Sequence, residues 1–327
     1  MKVLITGATG FLGNNVARTL LALGHSVRAY VRPRADTTPI GDLNVEIAHG
    51  ELGDINVLSD AINGVDVVVH AAASIHIGRT QLETQRRVNV DGTANVARAS
   101  RRANVRMLHI SSVDALGLGV RGQPADEDTP REGMPYCGYV VTKREAEDLV
   151  RREIAAGLDA VIVNPGFMLG PWDWKPSSGK MIIEVVRSRP LFAASGGCSV
   201  CDVRDVARGI VTAIERAKPG SQYILAGQNI LYIELWSHFC DLAGVRRPKI
   251  RVGPLVRIVA GRLGDLWGIC TGNEPNINSA AAAMSACLHY YSSAKAQRDL
   301  SYSVRPLEST LRDSWDWLTE RGLLVRN

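Results

Sequence analysis

The stretch Val3-Leu4-Ile5-Thr6-Gly7-Ala8-Thr9-Gly10-Phe11-Leu12-Gly13 limits what this chain can fold into more than any other. It reads as a buried strand, a glycine-rich turn and the first turn of a helix. The apolar run Val3 to Ile5 suits a parallel strand covered on both faces. Gly7 permits a tight turn, Gly10 lets a ligand approach the backbone, and Gly13 lets the helix sit close to the strand. The helix starting near Phe11 aims free N–H groups and a positive dipole end at the turn, an arrangement that favours a pyrophosphate. The spacing is G-x-x-G-x-x-G rather than G-x-G-x-x-G, and in a chain with 31 glycines a bare triplet carries little weight. Its position between a strand and the amphipathic helix Val16 to Leu23 gives it meaning. A dinucleotide pocket is therefore expected at the start of the chain, against the alternative of a ligand-free strand–helix turn.

The same alternation continues. Val27–Val31, Val45–Ala48, Asp66–His70, Arg106–Ile110 and Ala160–Val163 read as further strands. Helical spacing covers Thr84 to Ala103 and Tyr136 to Ala155. Strands alternating with helices imply right-handed crossovers and a Rossmann-type doubly wound parallel α/β sheet. Ligands of such sheets lie beyond the C-terminal strand ends. After Pro165 the character changes, beginning with the Pro-, Gly- and Trp-rich loop Gly170 to Gly179. Residues 1–165 are read as the dinucleotide-binding domain. Residues 166–327 are read as a smaller substrate lobe, interleaved with the first and returning one strand to its sheet. Helices are expected over Val203–Arg216, Tyr232–Leu242 and Pro306–Leu318. Val252 to Leu263 reads as an amphipathic helix that packs on the lobe, with pocket lining and contact with a membrane surface as alternatives.

Composition narrows the function classes. A chain of 327 residues, 46% hydrophobic and 22% charged, is that of an ordinary globular protein with a large core. Its net charge of +5 is scattered, which argues against a nucleic-acid footprint. Arg98, Arg101, Arg102 and Arg106 come closest to a cluster, and most of them are expected on a solvated helix face. No apolar run is long enough to span a bilayer, and Met1 leads directly into the first strand, so a cytoplasmic location is expected. The six cysteines are irregularly spaced and Cys198-x-x-Cys201 stands alone, which points to free thiols rather than a metal site.

Tyr139 and Lys143 fall one helical turn apart on one face. A phenol titrates near 10 and exchanges protons poorly at neutral pH. A neighbouring ammonium, together with an oxidised nicotinamide, is expected to lower that pKa. Lys143 can also hold ribose hydroxyls, and Ser112 at the end of the fifth strand can hydrogen-bond the same substrate oxygen. These groups would move a proton while a nicotinamide moves a hydride.

As a set, Thr6–Gly13, His70-Ala71-Ala72-Ala73, Asn89-Val90-Asp91-Gly92-Thr93, Ser111-Ser112, Tyr139–Lys143 and Asn164-Pro165-Gly166 resemble the extended short-chain dehydrogenase/reductases. Ser293–Ala296, Leu300–Tyr302 and Trp317-Leu318 resemble that family's C-terminal end, so the likeness covers nearly the whole chain. It implies catalysis by Ser112, Tyr139 and Lys143, with Ser112 preferred over Ser111 because the family's active residue stands five positions before a glycine, here Gly117. It also implies cofactor contacts from Gly7, Thr9, Gly10, Phe11, Leu12, Glu51, Leu52, Ala71, Ala72 and Pro165, besides Tyr139 and Lys143. Glu51 stands where the family usually has Asp, and Leu116 where many sugar-modifying members carry Tyr. The same analogy implies a homodimer.

The second strand leads into Arg32-Pro33-Arg34, with no carboxylate before Asp36. Arg32 suits a ribose 2′-phosphate, so NADP(H) is expected in preference to NAD(H). The segment Ala194 to Ala207 lacks the cation that nucleotide-sugar members place before their strand there. Phe167, Met168, Leu169, Trp172 and Trp174 instead suggest apolar walls. The chain thus looks most like the dihydroflavonol-reductase and 3β-hydroxysteroid-dehydrogenase branch, acting on the carbonyl or alcohol of a fairly apolar small molecule. A nucleotide-sugar epimerase or dehydratase and a non-catalytic redox sensor are the alternatives.

Overall fold

A computed structural model describes residues 1–78, 80–120 and 123–324. In chain order the strands are β1 (Lys2–Thr6), β2 (Ser26–Val31), β3 (Glu46–His49), β4 (Val67–His70), β5 (Arg106–Ile110), β6 (Ala160–Pro165), β7 (Phe167–Leu169), β8 (Phe192–Ala193), β9 (Gly197–Asp202), β10 (Gln222–Leu225), β11 (Gln228–Leu231), β12 (Ile250–Arg251) and β13 (Leu288–His289). The helices are α1 (Phe11–Ala22), α2 (Ile55–Ile62), α3 (Leu82–Gln85), α4 (Gly92–Arg102), α5 (Gly138–Ala155), α6 (Gly179–Ser188), α7 (Val203–Arg216), α8 (Tyr232–Ala243), α9 (Pro254–Thr271), α10 (Ser279–Met284), α11 (Ala294–Leu300) and α12 (Leu307–Glu320).

Seven strands form one parallel sheet in the order β10-β6-β5-β4-β1-β2-β3. The order reverses beside β1, which puts the crevice at the C-terminal end of β1, where the glycine turn lies. Alternation along each strand feeds two cores. Val3, Ile5, Val69 and Leu108 pack with Val16 and Leu20 of α1 and Val206 and Ile210 of α7. Leu4, Val68, Met107 and Ile162 face the other side, against Leu58 of α2, Val96 of α4 and Val150 of α5. The doubly wound sheet expected from the sequence is present.

The chain after β6 builds a second layer. β11, β9, β13 and β7 form a small mixed sheet, packed with α6, α8 and α12 around Leu235, Phe239, Leu311 and Trp315. β10 returns to the main sheet beside β6. The helix read over Thr84–Ala103 is continuous in direction but contains a π-helical stretch, Arg86–Asp91, between α3 and α4. Asn89 in that stretch turns inward. Its side chain accepts from Ser74 N at 2.7 Å and donates to Ser74 O and to Thr142 Oγ1, both at 3.0 Å. It thereby anchors the loop after β4. Arg106 opens β5, as expected, and pairs with Asp159 at 2.9 Å.

The helix expected to end near Leu263 runs on to Thr271, and it does not pack through its apolar side chains. Of its residues only Gly261 is buried. Among the described residues no helix is long and apolar enough to cross a membrane.

Candidate active site

The glycine turn has the form expected of a phosphate cradle. Gly7 takes a φ of +74°, and a Cβ there would stand 2.7 Å from Ala72 N. A Cβ on Gly13 would sit 2.8 Å from the Gly7 carbonyl carbon and closer still to its oxygen. Helix and strand thus meet backbone to backbone. Gly10 is the N-cap of α1 and provides no side chain to its N–H groups. That leaves the dipole end facing the crevice, bordered by Thr9, half-buried Phe11 and buried Leu12. A cradle of bare backbone fits the pyrophosphate of a dinucleotide.

The loop after β4 closes the crevice from the other side. Ala71 N donates to Thr6 O at 3.1 Å and Ala72 N to Thr6 Oγ1 at 3.3 Å. His70 lies between Thr6 Oγ1 at 2.7 Å and Thr93 Oγ1 at 2.9 Å. Burial, and then the charge of Lys143, push its imidazole down to about 3, so it is a neutral strut. Leu52 O accepts from Asn95 at 2.8 Å and Glu51 O from Tyr30 at 3.1 Å, which fixes the segment after β3. Arg32 directly follows β2, is exposed, and makes no ion pair among the described residues. Pro165 is buried at the end of β6.

Ser112, Tyr139 and Lys143 come together at the C-terminal ends of β5 and β6. All three are at least nine-tenths buried. Ser112 caps a short turn, accepting from Asp114 N at 3.1 Å, and its hydroxyl also bonds to the Tyr139 phenol. Lys143 Nζ lies 5.9 Å from the Tyr139 ring centre and donates to Ile110 O at 2.9 Å. Ser111 points the opposite way, donating to Glu147 Oε2 at 2.7 Å. Glu147 is fully buried, with Arg131 Nη2 at 2.7 Å, Arg151 Nη2 at 3.0 Å, Gln222 Nε2 at 3.1 Å and Asn164 Nδ2 at 3.2 Å. This polar knot sits one turn beyond Lys143 and fixes the helix face that presents the pair.

The lowering expected for Tyr139 requires a bound oxidised nicotinamide. Tyr139 is held well above the ordinary phenol range in the protein alone, not below it. Burial is the main cause and the Asp114 carboxylate the second, both outweighing the Ser112 hydrogen bond. Lys143 is pushed down to about 8 by burial, against the pull of Glu147 and Asp114. Desolvation of a tightly packed site dominates the local charges.

One correction concerns the aromatic loop. Trp172 and Trp174 do not wall the site. They pack against Trp317 of α12, tilted at 4.6 Å and edge-on at 5.4 Å, and Arg18 of α1 lies 3.3 Å from the Trp172 ring centre. Arg321 covers Trp174 at 4.0 Å. Leu169 is buried in the small lobe's core, with Phe167 packed against it, and Met168 packs against the main core. The apolar surroundings of Tyr139 come instead from Cys137, Val140, Ala280 and Met284, with Ile77 and Met134 at the margin.

The sequence reading also missed Asp114 and His289. His289 Nε2 contacts Met284 O at 3.0 Å, and Nδ1 lies 3.4 Å from Asp114 Oδ1. A carbonyl and a carboxylate both accept, so this arrangement favours a proton on each ring nitrogen. Burial opposes the charged imidazole, but Asp114 outweighs it and the His289 pKa is raised. Asp114 lies two residues after Ser112, which was a local signal. His289 arrives from β13, and nothing in the sequence pairs the two.

The family model for the NAD dependent epimerase/dehydratase family matches residues 3–226. A sterol demethylase protein B of Methylococcus capsulatus is 30% identical over 99% of this chain and 100% of its own. A putative dihydroflavonol 4-reductase of Synechocystis is 31% identical over 97% and 94%. The solved structure of gox2253 is 36% identical, covers 99% of both chains and superposes with a TM-score of 0.88.

Proposed function

The chain belongs to the NAD-dependent epimerase/dehydratase family as an NAD(P)-dependent oxidoreductase of the extended short-chain type, and we propose that it reduces the carbonyl, or oxidises the matching alcohol, of a fairly apolar small molecule with NADP(H). The observation that carries this reading is the convergence of Ser112, Tyr139 and Lys143 beside the bare-backbone cradle, under an apolar wall of Val140, Ala280 and Met284. Gly7, Thr9, Gly10, Phe11 and Leu12 would hold the pyrophosphate. Glu51 and Leu52 would lie by the adenine, Ala71, Ala72 and Lys143 by the ribose, and Pro165 by the nicotinamide. When bound, that ring gives or takes the hydride. Tyr139 gives a proton to the substrate oxygen in reduction and removes it in oxidation. Ser112 holds that oxygen by a hydrogen bond, and Lys143 orients the ribose and favours the phenolate.

The position of Arg32, exposed and without an ion pair, supports NADP(H) over NAD(H). An apolar substrate is supported by the wall over Tyr139 and by relatives whose names refer to a sterol and a dihydroflavonol. Cations near the Ala194–Ala207 segment are engaged elsewhere: Arg204 pairs with Asp202 and Asp313, and Arg305 with Asp205 at 2.7 Å. That arrangement leaves a nucleotide diphosphate poorly served.

The test is a screen of ketones, steroids, flavonoids and activated sugars that follows NADPH absorbance. Turnover of an apolar carbonyl is expected, and saturable binding of a nucleotide sugar without such turnover would overturn the reading. Tyr139→Phe should cut turnover roughly 10²–10⁴-fold while NADPH still binds; retained activity rejects the mechanism. A clear preference for NADH over NADPH rejects the role given to Arg32.

A further inference from the structure

Helix α9 is built inside out. Its inner face is a row of glycines, Gly261, Gly264 and Gly268. A Cβ on Gly261 would stand 2.9 Å from Ser279 Cα, one on Gly264 would run into the Ile277 carbonyl, and one on Gly268 would reach Glu274 Cα at 3.4 Å. The helix backbone therefore lies directly on the segment leading into α10. Asp265, its one acidic residue, is turned inward, accepting from Ser279 N at 2.9 Å. Everything large and apolar is left outside. Leu255, Val256, Leu263, Leu266, Trp267 and Ile269 are 57% to 80% exposed. The strand pair β8–β12 just before the helix adds exposed Phe192 and Ile250. Scattered exposed side chains are ordinary, but a continuous face of this kind marks an interaction surface.

Its charges indicate the partner. Arg246, Lys249 and Arg251 in the segment leading to α9, and Arg262 on it, are exposed and make no ion pair among the described residues; half-buried Arg257 makes none either. A twofold contact between two copies would bring these like charges together. An anionic lipid surface meets both the apolar face and the cations. We propose that the outer face of α9, together with these cations, seats the protein on the surface of an anionic bilayer, with Leu255, Leu263, Leu266 and Trp267 entering the headgroup boundary and no segment crossing it. The face adjoins the candidate site, because α10 lies against α9 and carries Ala280 and Met284 onto Tyr139.

The test is co-sedimentation of the full chain with phosphatidylglycerol–phosphatidylcholine vesicles and with phosphatidylcholine alone, beside sedimentation velocity without lipid. The wild type should bind the anionic vesicles more tightly than the neutral ones. The triple variant L255E/L263E/L266E should lose on the order of a hundredfold or more in partitioning. Its unfolding temperature should be unchanged, because these side chains touch no core. The triple variant R246Q/K249Q/R251Q should abolish the difference between the two vesicle types. Failure of the wild type to bind anionic vesicles at low salt overturns the proposal. So does a dimer that the glutamate variant dissociates, because a second copy would then be the occupant. Vesicle binding requires no turnover, so it stands or falls apart from the substrate reading.

Discussion

Replacing Lys143 by methionine should make the ligand-free protein more stable while disabling its chemistry. The Lys143 ammonium is buried to within 4% of full burial and titrates near pH 8 instead of at its ordinary 10.5. At roughly 1.36 kcal/mol per pH unit, charging it inside the fold costs about 3 kcal/mol more than in the unfolded chain. Methionine has a similar length and carries no charge. Its gain is offset by loss of the 2.9 Å bond to Ile110 O, worth about 1 kcal/mol. A net stabilisation of about 1–2 kcal/mol follows, or roughly 1.5–3 °C in Tm at this chain length. The pH dependence gives the sharper check. Below pH 8 both folded and unfolded chains carry the proton, and the full penalty applies. Between pH 8 and 10.5 the unfolded chain keeps a proton that the folded one has lost, so wild-type stability rises with pH relative to the variant. Above 10.5 the difference levels off. Urea unfolding of both proteins across pH 7 to 10.5, taken as a difference curve, isolates this group from other titrations. A variant less stable than wild type at pH 7, or a difference curve without that rise, refutes the assignment of Lys143 as a strained buried charge.

Glu147→Leu should act in the opposite direction, because it leaves Arg131 and Arg151 facing an apolar side chain; a loss of about 3–5 kcal/mol is expected in the same urea assay. The Glu147 pKa is depressed, so its contribution is present above the ordinary carboxylate range and is lost as pH falls through the folded value; Glu147→Gln should therefore flatten the acid limb of the stability curve. Asp114→Asn removes a charge that holds the Tyr139 phenol up, so the rising limb of the alcohol-oxidation pH profile should move to lower pH, with NADPH affinity little changed. Gly13→Ala forces a methyl group onto the Gly7 carbonyl and should abolish NADPH binding in a calorimetric titration, or prevent folding altogether; unaltered binding would contradict the backbone-to-backbone contact.

Much of this was legible in the sequence because local chemistry decided it. β1, β4 and β6 are apolar runs buried on both faces, and such runs need no distant partner to be recognised. Helix α7 lies over the residues its periodicity gave, because its buried stripe and Asp202 cap are both local. The glycine turn was readable from type and spacing for the same reason, and the helical spacing of Tyr139 and Lys143 put both on one face of α5. Their energetics were not readable. The sequence shows a phenol near an ammonium, and it cannot show that both are desolvated, which raises the Tyr139 pKa in the protein alone. Nor could it show where Trp172 points. That side chain follows a left-handed backbone turn, with a φ of +73°, and lands on Arg18 from a distant helix.

Helix α9 shows the limit of periodicity most plainly. Apolar residues at helical spacing identify an amphipathic helix, but they do not say which way it faces. The usual inference that the apolar stripe points inward rests on there being a surface shaped to receive it. Here Gly261, Gly264 and Gly268 form a second stripe on the opposite side, and a smooth stripe permits closer backbone approach than leucines do. The contact with α10 is thus made by the glycines, and the leucines are left without a partner among the described residues. Glycine spacing set beside apolar spacing leaves both orientations open on equal terms. The charge pattern then favours the outward one: Arg246, Lys249 and Arg251 cluster just before the helix, where a buried apolar face would have no use for them.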